Sequence, residues 1–390
     1  MIDKHNEDRV TGQPLDWMKA ELQMLDETHR LRQLRSSERL PDGRIRIDGL
    51  DLLNLCSNDY LGIIGELKAP ALDCGAGGSR LICGNHPELI ELERRLAELH
   101  GASSSLVFGS GFLANLGCLT ALVDRGDVIF SDKLNHASII DGALLSRAEH
   151  VRYRHLDVDH LETLLKKHSG ARRKLIVTDS IFSMDGDVAP LERLVELKLR
   201  YDAMLMVDEA HSGGVMGPRG AGLSAALGIG EHVDVHMGTL SKAYGGYGAY
   251  ICGSDTLVQY LINRARSLIF STGLPPSVAA SASQAVDWIA HADQRRQALQ
   301  VNANYFRSEL QRLGLDTGES STQIVPMMLG SENLALRVSE SLRDRGIAAL
   351  PIRPPTVPMN SSRIRFSLMA THRTKDLDVA LQAVSDAMQE

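Results

Sequence analysis

The segment Gly238-Thr-Leu-Ser-Lys-Ala-Tyr-Gly-Gly-Tyr-Gly248 closes a strand-like run and sets one lysine, Lys242, among small residues and glycines. An amine in a crowded, partly desolvated place loses its proton readily and can form a Schiff base with an aldehyde. Taken alone, Lys242 is better read as an ordinary surface lysine in a glycine-rich loop. A second piece is Met204-Leu-Met-Val-Asp-Glu-Ala-His211, an apolar strand ending in Asp208 with His211 three residues on. A carboxylate there can hold a pyridine nitrogen protonated, and the imidazole can reach a phenolic oxygen on the same ring. Two readings compete: a satisfied acid at a strand end, and the Asp-Glu-Ala-His box of a helicase-type NTPase. The second needs a G-x-x-x-x-G-K-[ST] phosphate loop, which the chain lacks.

Further pieces are weaker singly. Phe108-Gly-Ser-Gly-Phe112 stands between a strand and the helix Leu113–Leu122, where backbone N–H groups can bind phosphate. Cys74-Gly-Ala-Gly-Gly-Ser-Arg80 superficially matches a dinucleotide fingerprint, but Arg80 takes the place of the last glycine and no convincing strand precedes it. His136, in Asn135-His-Ala-Ser138, can stack on an aromatic ring, or be structural. Phe182-Ser-Met-Asp-Gly-Asp187 carries an Asp-Gly pair that a turn alone would explain. In Arg363-Ile-Arg-Phe-Ser-Leu368, alternation puts Ile364, Phe366 and Leu368 on one face and Arg363 with Arg365 on the other. A guanidinium there can grip a carboxylate bidentately; solvated arginines on an edge strand are the plain alternative.

These groups need a scaffold, and the apolar patterning describes one. Short β-rich runs at Ser105–Phe108, Val128–Ser131, Val151–Arg154, Lys174–Thr178, Met204–Asp208 and Val235–Met237 are mostly separated by helical segments. Several are apolar throughout, as in strands buried on both faces of a mostly parallel sheet. Gly248–Cys252 follows its predecessor so closely that an antiparallel return is expected. Before the sheet come a helix from Pro14 to about Arg39, with Leu15, Met18, Leu22, Leu25 and Leu31 as a loose stripe, and short strands Arg44–Ile47 and Leu52–Cys56. After Pro275-Pro276 the pattern predicts a long helical region Ser277–Leu313, a strand Gln323–Leu329 and a helix Asn333–Arg345. Strands Ala348–Ile352 and Arg363–Leu368 and a helix Asp376–Gln389 follow. The expected division is an N-terminal arm (1–53), a large α/β domain (54–276) and a smaller α+β C-terminal domain (277–390).

Bulk properties narrow the function. The 390 residues are 43% hydrophobic and 23% charged, enough for a sizeable core. A net charge of -7 gives no footprint for nucleic acid. The basic run His29–Arg35, placed in the first helix, reads as a solvated face, with contact to an acidic substrate as a minor role. Five scattered cysteines without a C-x-x-C pair fit neither a disulfide framework nor a zinc site, so no metal is expected, and they suit a reducing, cytoplasmic setting. Residues 1–10 are polar, and no apolar stretch is long enough to span a bilayer, so no membrane association is expected.

Taken together the pieces resemble the α-oxoamine synthase family of fold-type I pyridoxal-phosphate (PLP) enzymes. The likeness runs from Asn54 to about His372 and includes seven motifs in the expected order: Ser57-Asn-Asp-Tyr-Leu-Gly62, Gly77-Gly-Ser-Arg80, Asp132 to Ser138, Phe182 to Asp187, Asp208 to His211, Thr239 to Lys242, and Ser271-Thr-Gly-Leu-Pro-Pro276. The resemblance implies a large domain with a mostly parallel seven-stranded sheet flanked by helices. It makes Lys242 the Schiff-base lysine and proton shuttle, pairs Asp208 with the pyridinium nitrogen and His211 with the phenolic oxygen, and stacks His136 on the ring. Gly111, Phe112 and Thr239 would hold the phosphate, and Thr272 would reach the phosphate of the other subunit in a homodimer with shared sites. Asn58, Ser183 and Arg365 would hold an amino-acid carboxylate, with Ser183 also beside the cofactor.

Within the family, Pro351-Ile-Arg-Pro-Pro-Thr-Val-Pro358 and Phe270–Pro276 look most like the member that joins L-alanine to a pimeloyl thioester, on CoA or a carrier protein. Arg32, Arg35 and Arg353 are then candidates for the far carboxylate of the acyl group. Other members use glycine with acetyl-CoA or succinyl-CoA, or a longer acyl chain, and a catalytically silent homologue would be a binding partner only. Three positions depart from the family: the Gly62–Gly75 connection is short, Ser212-Gly213 follows the histidine, and Ala249 stands where glycine is frequent.

Overall fold

A computed structural model describes residues 14–68 and 70–390; the polar stretch at 1–10 lies outside them. The first helix, α1 (Trp17–Glu27), buries none of its residues. Its expected continuation to Arg39 does not occur. His29 takes a left-handed φ of 55°, and the Arg30 N–H closes on the Leu25 carbonyl at 2.6 Å, ending the helix as a left-handed cap does. The basic run His29–Arg35 therefore lies beyond the helix, and Ser37–Leu40 is a strand, β1. Antiparallel β2 (Arg44–Ile47) and β3 (Leu50–Asn54) follow.

The next stretch runs α2 (Pro87–His100), β4 (Ser104–Phe108), α3 (Gly111–Leu122), β5 (Val128–Asp132), α4 (Ala137–Leu145), β6 (Glu149–Tyr153), α5 (Val158–Lys167), β7 (Lys174–Asp179), α6 (Leu191–Tyr201) and β8 (Met204–Asp208). A short α7 (Leu223–Ala226), β9 (Val235–Thr239), β10 (Ala249–Gly253), α8 (Asp255–Arg264) and a short α9 (Arg266–Ile269) complete it. The seven strands form one sheet in the order β4-β10-β9-β8-β7-β5-β6, with β10 antiparallel to both neighbours and the other pairings parallel.

The continuous apolar runs of these strands have a simple cause: alternate residues enter different cores. Ile129, Leu175, Val177, Met206 and Met237 face one cluster with α3, α4 and α8. Phe130, Ile176, Leu205 and Val207 face the other, under α5 and α6.

The expected helix Ser277–Leu313 is two helices, α10 (Pro276–Ala290) and α11 (Asp293–Arg312). The Arg296 guanidinium caps the Ile289 carbonyl at 2.7 Å across the break. The turn lets α10 pack on α2 while α11 packs on the strand β11 (Ile324–Gly330). After α12 (Glu332–Asp344), the expected single strand Ala348–Ile352 divides. Strand β12 (Ile347–Ala348) pairs with β3 in parallel, while β13 (Leu350–Ile352) joins β11 and β14 (Ser362–Ser367) in an antiparallel sheet of order β11-β14-β13. The chain closes with α13 (Thr374–Gln389). One apolar cluster, from Leu53 through Leu92 and Tyr250 to Val384, ties the two smaller sheets to the large one.

Candidate active site

Six of the seven central strands run the same way, so their carboxyl ends share one edge of the sheet, where ligands collect in open α/β folds. Asp179 and Asp208 end β7 and β8, Thr239 ends β9 with Lys242 three residues on, and His136 precedes α4. Each is a polar residue at the point where an apolar strand runs out.

Lys242 Nζ lies 2.7 Å from His211 Nε2, and the other imidazole nitrogen, Nδ1, lies 2.6 Å from the Tyr60 hydroxyl. Tyr60 in turn donates to Asn58 Oδ1 at 3.1 Å, and Arg365 on β14 donates to the same oxygen at 3.2 Å. A further Arg365 N–H donates to Ser367 Oγ at 2.6 Å, and its Nε–H to the Ser183 carbonyl. Burial pulls the Lys242 ammonium down to about 8, against the opposing pull of Asp208 and Asp179. Burial, with the charges of Lys242 and Arg365, keeps His211 well below the usual histidine range, so its ring is neutral. The amine is thus within reach of the free-base form at ordinary pH, beside a ring nitrogen that can donate or accept.

Asp208 is 3% exposed, and its carboxylate is held from both sides. Asn115 Nδ2 donates to Oδ2 at 2.8 Å, and the Ala210 N–H donates to Oδ1 at 2.9 Å. Asn115 also reaches Ser138 Oγ at 2.9 Å, and Ser138 Oγ lies 2.7 Å from His136 Nδ1. The His136 N–H donates to Asp179 Oδ2 at 2.8 Å. Burial beside Asp208 raises the Asp179 carboxyl well above its ordinary range. Burial also lowers His136, leaving a neutral ring suited to stacking.

At the end of β4, Ser110 caps α3 by accepting from Leu113 N–H at 3.3 Å, and the first helical N–H groups belong to Gly111 and Phe112. A Cβ on Gly111 would stand 3.1 Å from Met237 Cε and 4.0 Å from Thr239 Oγ1, so this helix start abuts the end of β9. Thr239 Oγ1 and Ser241 Oγ are 2.7 Å apart. An amine, a fixed carboxylate, two neutral imidazoles, and helix-start N–H groups beside two hydroxyls therefore gather at one sheet edge. That donor set matches the aldehyde, pyridine nitrogen, phenolic oxygen, ring face and phosphate of PLP.

The remaining candidates fall in three places. Ser183 and Arg363 belong to the contact between the Phe182–Asp187 loop and β14, where Arg363 pairs with Asp185. Arg353 donates to the His29 carbonyl, which brings the Pro351–Pro358 stretch against the basic run, while Arg32 is exposed and Arg35 stands 3.8 Å from Asp48. Thr272 is exposed and bridges to Ser79. Sequence reasoning did not single out Tyr60, Asn115 or Asp179. Tyr60 stood within a quoted motif, and Asn115 sits one helical turn from Gly111, on the same face of α3.

His155 is another omission. It lies 2.9 Å from Asp132 and 2.8 Å from Asp187, and these partners lift it to about 10 against the effect of burial. Elsewhere, ligand atoms of His100, Glu209 and His236 come within 4.8 Å of one another. Hydrogen bonds already account for them: His100 to Tyr250, Glu209 to Ser224, and His236 to Gly230 O.

The family model for aminotransferase class I and II matches residues 51–384. A protein of Geobacillus kaustophilus, provisionally named 8-amino-7-oxononanoate synthase, is 50% identical over 363 residues, covering 91% of this chain and 93% of its own length. Among solved structures, serine palmitoyltransferase of S. paucimobilis, determined with PLP and myriocin, superposes with a TM-score of 0.90 at 29% identity, covering 98% of this chain and 99% of that one. An 8-amino-7-oxononanoate synthase from Francisella tularensis gives 0.75 at 28% identity, covering 87% and 98%. No helix among the described residues is long and apolar enough to cross a membrane.

Proposed function

The chain belongs to the aminotransferase class I and II family, and within it to the α-oxoamine synthases, PLP-dependent acyltransferases of fold type I; from that premise we propose that it condenses L-alanine with a pimeloyl thioester. The products are 8-amino-7-oxononanoate, carbon dioxide and the free thiol of CoA or a carrier protein. The observation that carries this reading is the half-identity, over nine-tenths of the chain, to a relative of that name.

Bound PLP supplies an aldehyde for covalent attachment and a protonated ring able to take up the electron pair left at an amino acid's α-carbon. Lys242 provides the attaching amine. The same Nζ would remove the substrate's α-proton and later return one, a task suited to an amine whose pKa lies near the working pH. Asp208, held by Asn115 and the Ala210 N–H, would set its carboxyl group against the pyridine nitrogen and keep that nitrogen protonated. His136 would cover one ring face, and His211 would face the phenolic oxygen. Gly111 and Phe112 offer backbone N–H groups to the phosphate, with the Thr239 hydroxyl beside them.

Arg365, Asn58 and Ser183 bind and orient the alanine carboxylate, the group that leaves as carbon dioxide after the new carbon–carbon bond to the thioester carbonyl has formed and the thiol has departed. Arg32 and Arg353, near the joined 29–35 and 351–358 segments, take the far carboxylate of the acyl chain. Thr272 reaches the phosphate bound by a second copy, in a homodimer whose sites are shared.

The test is product mass after incubating purified protein and PLP with L-alanine, glycine or L-serine and acyl-CoAs from acetyl to palmitoyl, or pimeloyl carrier protein. Preferential formation of 8-amino-7-oxononanoate supports the assignment. A product from glycine or from a long acyl chain reassigns the substrate within the family. Near-normal turnover by Lys242→Ala would sink the mechanism.

A further inference from the structure

Four hydrogen-bonding groups form an unbroken line from the amine to the guanidinium: Lys242 Nζ, His211, the Tyr60 hydroxyl and Asn58 Oδ1, the last two both receiving an Arg365 N–H, at 3.5 and 3.2 Å. Tyr60 is 0% exposed and His211 5%, so no solvent competes along its middle. The neutral imidazole has one N–H and one lone pair, and the phenol has one O–H, so the line has only two self-consistent directions. If Lys242 carries its ammonium, it donates to Nε2, Nδ1–H donates to Tyr60, and Tyr60 donates to Asn58. If Lys242 has lost that proton or is otherwise engaged, it no longer requires Nε2 as an acceptor; Tyr60 can then turn its O–H onto Nδ1, and His211 presents Nε2–H to the site. Asn58 Oδ1 keeps Arg365 as its donor in the second arrangement, so no buried group is left unpaired.

We propose that Tyr60 is a positioning residue that decides which nitrogen of His211 bears the proton, so that the Lys242–His211–Tyr60–Asn58 line reverses as a unit. This rests on the reading of Lys242 and His211 given above. Its consequence is that His211 acts as a hydrogen-bond donor towards the cofactor only while Tyr60 is turned to it. Its far end is the Asn58–Arg365 pair expected to meet the substrate carboxylate. The charged and titratable groups facing the line are Asp208 at the end of β8, Asp179 at the end of β7, His136 before α4 and Arg365 on β14. Among the described residues, the Tyr60 hydroxyl is the hydrogen-bond partner of His211 Nδ1.

Nitrogen NMR of the histidine side chains in full-length protein reads this directly, with His211→Gln supplying the assignment. In holoenzyme, His211 is expected in a single form, Nε2–H with Nδ1 as acceptor. After removal of PLP below pH 7 it is expected to change to Nδ1–H. Tyr60→Phe is expected to lose the single-tautomer signature of the holoenzyme, giving a mixture or Nδ1–H. Nδ1–H in wild-type holoenzyme, or one unchanged tautomer in both loaded and PLP-free wild-type protein, overturns the proposal without need of any variant. A Tyr60→Phe spectrum matching wild type also overturns it. No substrate enters the measurement, so failure here is distinct from failure to form the proposed product.

Discussion

Lys242 is expected to titrate at about 8, well below an ordinary lysine, and the cofactor-free protein makes this measurable. Only the uncharged amine can attack an aldehyde, so the rate of PLP recombination should follow the neutral fraction of Lys242. With a pKa of about 8, that fraction is roughly 3% at pH 6.5, about 76% at pH 8.5 and about 97% at pH 9.5. Recombination should therefore speed up about 25-fold over the first two units and only about 1.3-fold over the last. A lysine left at its ordinary value would still gain roughly 9-fold between pH 8.5 and 9.5. The cause of the depression is burial, partly opposed by the carboxylates of Asp208 and Asp179. Stopped-flow absorbance of the growing visible band is the assay, with Lys242→Ala as blank. A rate that keeps climbing roughly tenfold per unit above pH 8.5 would refute the argument that the site itself prepares the amine.

Three further outcomes are expected. Asn115→Ala removes a hydrogen bond to a buried carboxylate, worth about 1.5–3 kcal/mol, and should lower kcat/KM for alanine roughly 10- to 160-fold; a loss below about twofold would show that Asp208 does not depend on it. His155 is raised by Asp132 and Asp187, so its stabilising contribution is complete below its ordinary value of 6.5 and lost as pH rises through about 10. Wild-type Tm should fall over that span while His155→Gln starts lower at pH 7 and responds less to pH, and parallel profiles would contradict the pairing. Gly186 has a φ of 70°, and a Cβ there would collide with the Ile324 carbonyl oxygen. Gly186→Ala should therefore cost at least about 2 kcal/mol by denaturant unfolding; a smaller cost would mean that the Phe182–Asp187 loop is not seated tightly on β11.

The sequence by itself determined the α/β class, the sheet strands and the residues at their carboxyl ends. Short apolar runs that stop at an aspartate or a threonine record burial locally, and the order of seven motifs named the family and with it PLP. Two of its errors share one cause. Helix periodicity continues through His29–Arg35 and through His291–Ala292, but the chain leaves the helix at both places. At the first, left-handed His29 closes the cap and β1 pairs with β2; at the second, α10 and α11 turn to meet different partners. Only the tertiary structure put Tyr60 against His211, 151 residues away, and Asn115 against Asp208, 93 residues away. Such pairs leave no spacing signal, because strand order and helix packing bring them together, whereas apolar periodicity reports only which face of an element is buried.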